Sequence, residues 1–297
     1  MNPVPMPEPS VENGLPKSYQ LVLVRPANFV FVEAFREVME SVRAGFSELA
    51  IPCHAYTNRI ASGAVPIVFG AHHLTADDVA CLPPETIIYN LEQMLEGYPW
   101  FIESYVDVLK KFLIWDFSTQ NIALLKRLGI VNVRHVPIGY SPEITRIPQI
   151  EQDIDILFYG ILSPHRQVHL RQFDAARLRV VVLNGVFGVE RDAWIARAKL
   201  VLNLHNRPGG LFEGPRVCFL LANRKTVVSE CDHPNEVDAD LAPGLAAVPG
   251  RELVDTCRRL LADAGARADL SEKGYQLMTS PQRRASRILQ NVLEAIP

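Results

Sequence analysis

Residues 153–166 read DIDILFYGILSPHR. The apolar run at 154–159 is short and nearly continuous, the pattern of a strand covered on both faces of a parallel sheet. Gly160 follows at the strand's carboxyl end, where the missing Cβ lets the backbone approach a ligand. Ser163 ahead of Pro164 has the order of an N-cap and a first helical residue. A helix is therefore expected over 165–176, its free N–H groups at the start suited to an anion. Arg166, one turn in, has the planar fork that pairs with a phosphate. The same letters also fit a plain strand–turn–helix with a surface arginine.

Outward from this segment the alternation continues. Downstream, strands are expected at 178–183, 200–204 and 226–230, helices at 190–198 and 215–221, and mainly helices from 251 on. Upstream, strands are expected at 19–25, 52–56, 65–70, 86–91, 112–116 and 133–138. Helices are expected at 29–49, 75–79, 99–110 and 119–128, the last stopped by Gly129 as a C-cap. Such alternation implies parallel sheets wrapped by helices. The stretch 139–153 (GYSPEITRIPQIEQD) interrupts it with prolines and polar residues and marks a boundary. The expected division is a disordered tail at 1–16, one Rossmann-like domain over 17–145, and a second over 146–297 that carries the terminal helices. Open sheets of this kind bind ligands beyond the carboxyl ends of their strands, here in the cleft between the two units.

Composition narrows the function classes. The 297 residues are 48% hydrophobic and 21% charged, enough to give each half its own core, and the formal net charge is −3. No basic surplus exists to neutralise a nucleic-acid backbone, so nucleic acid is not an expected partner. The five cysteines are scattered without a C-x-x-C pair, as buried thiols of a reducing compartment would be. The Pro- and Glu-rich start has no signal-like apolar run, and no segment reaches the roughly 18 apolar residues of a membrane span. A cytoplasmic protein without a transmembrane segment is expected.

A second polar segment, 203–216 (NLHNRPGGLFEGPR), lies between an apolar strand and an apolar helix. Backbone N–H groups at that helix start suit a diphosphate. Glu213 can accept hydrogen bonds from neighbouring hydroxyls of a ribose or sugar. Arg216 or Arg207 can neutralise charge on a departing diphosphate.

Residues 153–281 resemble the C-terminal domain of GT-B glycosyltransferases, in the branch of group 1 and spore-maturation-type transferases. The resemblance rests on DIDILFYGILSPHR, on AKLVLNLH (198–205), on FEGPRVCFLLANRKTVVSE (212–230) and on the helical ELVDTCRRLLADAGARADLSEKGYQLM (252–278). It covers rather under half the chain, through loose motifs kept in order and spacing. It implies a GT-B architecture, two Rossmann-like doubly wound domains facing across a cleft that clamps a nucleotide-sugar, with no metal or other cofactor required. By position, Gly160 and Arg166 would border the phosphates, and Asn184 and Gly185 would lie near the base. His205, Glu213 and Arg216 would line the ribose and diphosphate. Departures are visible too. Leu221, eight positions after Glu213, stands where retaining members often have a second glutamate. Asn223-Arg224 replace the helix glycine, and Phe219 stands where related enzymes place a glutamate.

On that reading the first domain supplies the acceptor site and any general base. His72 and His73 follow the strand at 65–70, where a histidine facing the cleft can take a hydroxyl proton; the pair equally suits capping the next helix. Glu92 is a second base candidate, beside Asn90 and Gln93, which can orient a polyhydroxyl acceptor. Asp116 and Ser118 look like caps for 119–128. Asp238-Ala239-Asp240 spells a metal-binding D-x-D but is expected to be a solvated acidic turn. His72 and His73, as strand neighbours, would point to opposite faces and could not share an ion. No dinucleotide fingerprint, P-loop or nucleophile elbow occurs. The aromatic patch at 98–101 is expected to be a buried helix start rather than a membrane contact. The expected function is transfer of a sugar from a nucleoside-diphosphate donor to an acceptor hydroxyl, as in glycan biosynthesis. The alternatives are a hydrolysing-type nucleotide-sugar epimerase and a non-catalytic sugar-nucleotide-binding partner.

Overall fold

The computed structural model describes residues 18–95, 98, 101–233 and 237–295. The tail expected at 1–16 and residues 99–100 of the aromatic patch lie outside them. β1 (Tyr19–Leu23) is buried at all five positions, as its continuous apolar run requires of a strand covered on both faces. With β2 (Cys53–Thr57), β3 (Val65–Phe69), β4 (Ile87–Asn90), β5 (Leu113–Asp116) and β6 (Val133–His135) it forms a parallel sheet in the order β2-β1-β3-β4-β5-β6. Its helices are α1 (Arg36–Glu48), α2 (Ala76–Ala80), α3 (Glu103–Lys111) and α4 (Thr119–Arg127). The helix expected from residue 29 enters through a 3-10 turn, Val30–Phe35, whose cap Phe29 makes no side-chain cap bond. Phe29 and Phe31 face the cleft instead.

The second sheet contains β7 (Ile154–Tyr159), β8 (Val180–Leu183), β9 (Ala198–Asn203), β10 (Val227–Glu230) and β11 (Ala246–Val248). The order is β11-β10-β9-β7-β8, again parallel. α5 (Pro164–Ala175), α6 (Gly188–Arg197), α7 (Gly214–Ala222), α8 (Leu253–Ala262), α9 (Ala264–Met278) and α10 (Ala285–Glu294) surround it and close the chain. Strand β11 was not expected; three residues, Ala-Ala-Val, are too few to carry a period. Ser163 accepts a bond from the Arg166 amide and Pro164 opens α5, as its sequence implied.

Both sheets reverse their direction of growth once. The chain moves from β1 to β2 and then returns to β3 on the other side of β1. Likewise it moves from β7 to β8 and returns to β9. A crevice opens at each reversal, outside the carboxyl ends of the strands, and the two crevices face each other. A single apolar cluster links the sheets, from Tyr19 and Phe69 to Tyr159 and Phe219.

Buried charge joins the lobes as well. Arg191 on α6 donates to Glu37 on α1 at 2.6 Å and to Asp192 at 2.7 Å. Arg146, on the connecting stretch, reaches Glu37 at 3.0 Å, Asp192 at 2.9 Å, and also Glu40. The Arg191 guanidinium lies 4.7 Å from the Phe219 ring centre. Thus Phe219, where relatives were expected to carry a glutamate, provides an aromatic floor for this arginine. The last helix, placed with the second unit in the sequence division, packs on α1 of the first. Gly45 makes that possible, because a Cβ there would sit 2.8 Å from Leu289 Cδ1. Arg284 and Glu48 pair at 3.1 Å beside it.

Candidate active site

The two crevices merge into one cavity of about 250 Å³, walled by both lobes. On the second lobe's side, β7 ends at Gly160 with φ +139°, a conformation that L side chains rarely adopt. Arg216, at the start of α7, lies against that glycine. Its guanidinium rests 5.1 Å from the Tyr159 ring centre and donates to Asn203 Oδ1 at 3.0 Å. Glu213 is beside it, accepting from Asn203 at 3.0 Å and from Arg166 at 3.3 Å, with His205 Nδ1 at 3.2 Å. Burial opposes ionisation of Glu213, yet His205, Arg166 and Arg216 hold its carboxyl below the ordinary range.

Gly160, Arg166, Gly185, Glu213 and Arg216 all line the cavity. The sequence candidates divide in what they do there. Arg166 spends most of its donors on the protein: two bonds to the Leu204 carbonyl, at 3.0 and 2.8 Å, and one to Ile161 at 3.0 Å. Burial, and then Arg216, push its guanidinium down to about 10, which still leaves it a cation at neutral pH. His205 is buried beneath the site, where it orients Glu213 and donates its amide to Glu230 Oε2 at 2.9 Å. Asn184 is exposed and is not brought into the cavity wall, whereas Gly185, Val186 and Phe187 are. Arg207 is exposed, its guanidinium 5.3 Å from the Tyr98 ring centre.

Opposite stands the first lobe's wall. Gly70, with φ +76°, ends β3 and turns Ala71–His73 into a single 3-10 turn. The strand geometry that would have separated His72 from His73 is lost there, so the two rings lie 3.8 Å apart and both line the cavity. Nor do they cap α2: Thr75 and Asp78 do, in a reciprocal capping box. His72 is almost wholly enclosed, and burial followed by His73 pushes its imidazole down to about 3. Burial lowers His73 as well. Glu92, 3.7 Å from His72 Nε2, has its carboxyl pushed up to about 7 by burial.

Neighbouring polar residues prove to be framework. Asn90 is buried, donating to Asp116 at 2.6 Å and accepting from Tyr105 at 2.9 Å. Gln93 uses both amide atoms on the backbone of Leu211, at 2.9 and 3.0 Å, and so clasps the 203–216 loop to the first lobe. Ser118 caps α4, as expected. The D-x-D of Asp238 and Asp240 lies in a part-exposed acidic turn, as expected, and its carboxylates also hold Arg283 at 2.7 and 2.5 Å, anchoring the chain entering α10.

Sequence reasoning missed Phe29, Phe31 and Phe187, which add an aromatic side to the cavity, with Phe31 and Phe187 edge to face at 6.0 Å. They sit inside or next to the segments expected to be helical, 29–49 and 190–198, where an apolar side chain reads as part of a helix's buried stripe. Arg191, also on the wall, had no local signal at all.

With this geometry the chain matches solved structures over nearly its whole length. AviGT4, a glycosyltransferase involved in avilamycin A biosynthesis, superposes with a TM-score of 0.61 at 16% identity, covering 93% of this chain and 96% of that one. T4 phage BGT in complex with its UDP-glucose substrate gives 0.55 at 12%, covering 94% and 99%. Anabaena Alr3699/HepE in complex with UDP and glucose gives 0.56 at 11%, covering 93% and 98%. The chain has the GT-B fold. Identities this low establish the fold alone. No protein-family model matches the sequence. A curated relative, uncharacterized protein L140 of Acanthamoeba polyphaga mimivirus, is 28% identical over 189 residues, 60% of this chain and 59% of that protein. The chain thus matches about three fifths of that relative's length. Within the GT-B fold the cavity occupies the interlobe cleft, and among the described residues no helix is long and apolar enough to cross a membrane.

Proposed function

We propose that the protein is a glycosyltransferase that moves a sugar from a nucleoside-diphosphate donor, held by the second lobe, to an acceptor hydroxyl presented by the first. One observation carries the reading. Across a single cavity, the Gly160–Glu213–Arg216 wall offers a cation and close-approach backbone, while the opposite wall offers Glu92, a carboxyl poised near neutrality. A base whose pKa lies near the working pH is the efficient one. His72, already neutral and weakly basic, suits the role of a neighbour that orients Glu92 or the acceptor, and His73 lies at the cavity's edge of the same turn.

In the proposed step the acceptor oxygen bonds to the anomeric carbon as the bond from that carbon to the diphosphate oxygen breaks. The bonding pair leaves with the diphosphate, whose growing charge Arg216 meets, and the acceptor proton passes to Glu92. Glu213 would take the donor's hydroxyls. Closure of the lobes would exclude water and align the reacting atoms. We further place the unit boundary at 145/146, with α10 docked back on the first unit.

The test is a thermal-shift and turnover panel of nucleoside diphosphates and their sugars. UDP and UDP-glucose come first, because two of the compared proteins hold UDP or UDP-glucose. A donor should raise the unfolding midpoint through linkage and turn over slowly with water. If no nucleoside diphosphate shifts the midpoint, the reading fails.

A further inference from the structure

We propose that His165, His169 and Glu230 form a binding site for one divalent cation of the zinc type. None of the three lines the cleft, so the site is separate from the sugar-transfer reading and does not depend on it.

His165 and His169 are four residues apart on α5, which places their rings on one face of the helix. Glu230 ends β10 and projects into that face. Both imidazole Nε2 atoms are turned to the same oxygen, Oε1, at 2.7 Å from His165 and 3.3 Å from His169. One ligand atom from each residue falls within 4.8 Å of the others. Two imidazoles and a carboxylate are a donor set that zinc takes readily, with water or a further oxygen in the fourth position.

The framework orients these ligands. The second carboxylate oxygen of Glu230 accepts the His205 amide at 2.9 Å, which aims Oε1 at the histidines. The His169 ring packs on Gly250, where a Cβ would lie 2.6 Å from its Cε1. Asp232 contributes further negative charge beside His169. The carboxylates of Glu230 and Asp232 bring negative charge to the site that a dication would offset. Tetrahedral zinc sets its ligand atoms roughly 3.4 Å apart. The His169 contact, at 3.3 Å, is close to that separation; the His165 contact, at 2.7 Å, must open by roughly 0.7 Å as the metal displaces the hydrogen-bonded proton to solvent. His165 is the most exposed of the three and gives solvent access for the ion.

Bound there, the ion would tie α5 to β10. These elements carry Arg166 and the Glu230 anchor of His205, so the donor wall would be stiffened from behind.

The test uses the untagged 297-residue chain, stripped with chelator and dialysed against zinc, with metal read by mass spectrometry. One zinc per chain is expected, with a midpoint rise of roughly 4 °C at a hundredfold excess over the dissociation constant. His165→Ala and Glu230→Gln should each lose the metal, whereas the double variant His72→Ala/His73→Ala should keep it. Circular dichroism checks that each variant folds; if Glu230→Gln does not, His165→Ala alone decides. Zinc no higher than buffer background in the unaltered chain, or zinc undiminished in folded His165→Ala, overturns the proposal.

Discussion

Arg216 occupies the space in which a side chain on residue 160 would begin: a Cβ built on Gly160 lies 2.8 Å from Arg216 Nη2. The left-handed turn of the one residue and the position of the other's guanidinium are a single feature. Gly160→Ala should therefore displace Arg216 as well as strain the backbone at φ +139°. The expected outcome is a loss of about 1–3 kcal/mol in stability together with a drop in donor turnover. Chemical denaturation and steady-state kinetics on the same variant check both.

Two arginines of the donor wall should separate by their effects. Among the described residues Arg216 donates one side-chain bond, to Asn203, so Arg216→Ala should lower kcat about 10²–10³-fold with little change in midpoint. Arg166 ties down the carbonyls of Leu204 and Ile161. Removing it leaves buried acceptors unsatisfied, and Arg166→Ala should cost about 2–3 kcal/mol of stability besides activity. Equal midpoints in the two variants would contradict this division.

Activity should rise with pH through about 7, because Glu92 must be deprotonated to take the acceptor proton. Glu92→Gln should abolish transfer while leaving donor binding intact. Stability should show the opposite slope. Burial raises the folded pKa of Glu92 to about 7, and that of Asp116 likewise, so the folded state binds their protons more tightly than the unfolded one. Their contribution is full below the unfolded values near 4 and is lost as pH climbs through about 7. Denaturation curves between those limits should flatten in Glu92→Gln.

Arg191 neutralises Glu37 and Asp192 where the lobes meet. Arg191→Ala leaves buried carboxylates with only Arg146 for a partner, and about 3 kcal/mol of stability should be lost. Arg191→Met, of similar volume, keeps the packing on Phe219 but not the charge. Urea titration of the two variants distinguishes packing from pairing: a Met variant as stable as the parent would remove the electrostatic account.

Where local chemistry decides structure, the letters were sufficient. Strand β7 was bounded at 154–159 by its apolar run, and Ser163-Pro164 predicted the start of α5, because caps and strand burial depend on neighbours in the chain. The Gly160, Glu213 and Arg216 cluster was legible for the same reason: glycine and charge beside an apolar element stand out. The roles of Arg166, Gln93 and Asp238 were not. Each is used up by a partner from 38 to 118 positions away, which no local pattern reports.

The His72–His73 pair illustrates the difference most sharply. Sequence alone placed both at the carboxyl end of a strand, and treating them as strand neighbours sent them to opposite faces. Tertiary structure, through the left-handed Gly70 pressed against the Val24 carbonyl, ended the strand one residue earlier and brought the two rings together on one cavity wall. By itself the sequence determined two parallel sheets and a basic, glycine-lined edge on the second, since these follow from periodicity and caps; the strand orders that create the switch points came with the fold. Only the packing of α1, α6 and α10 between the lobes decided which side chains meet across the cleft and at what pKa, because burial and opposing charge are properties of neighbours in space.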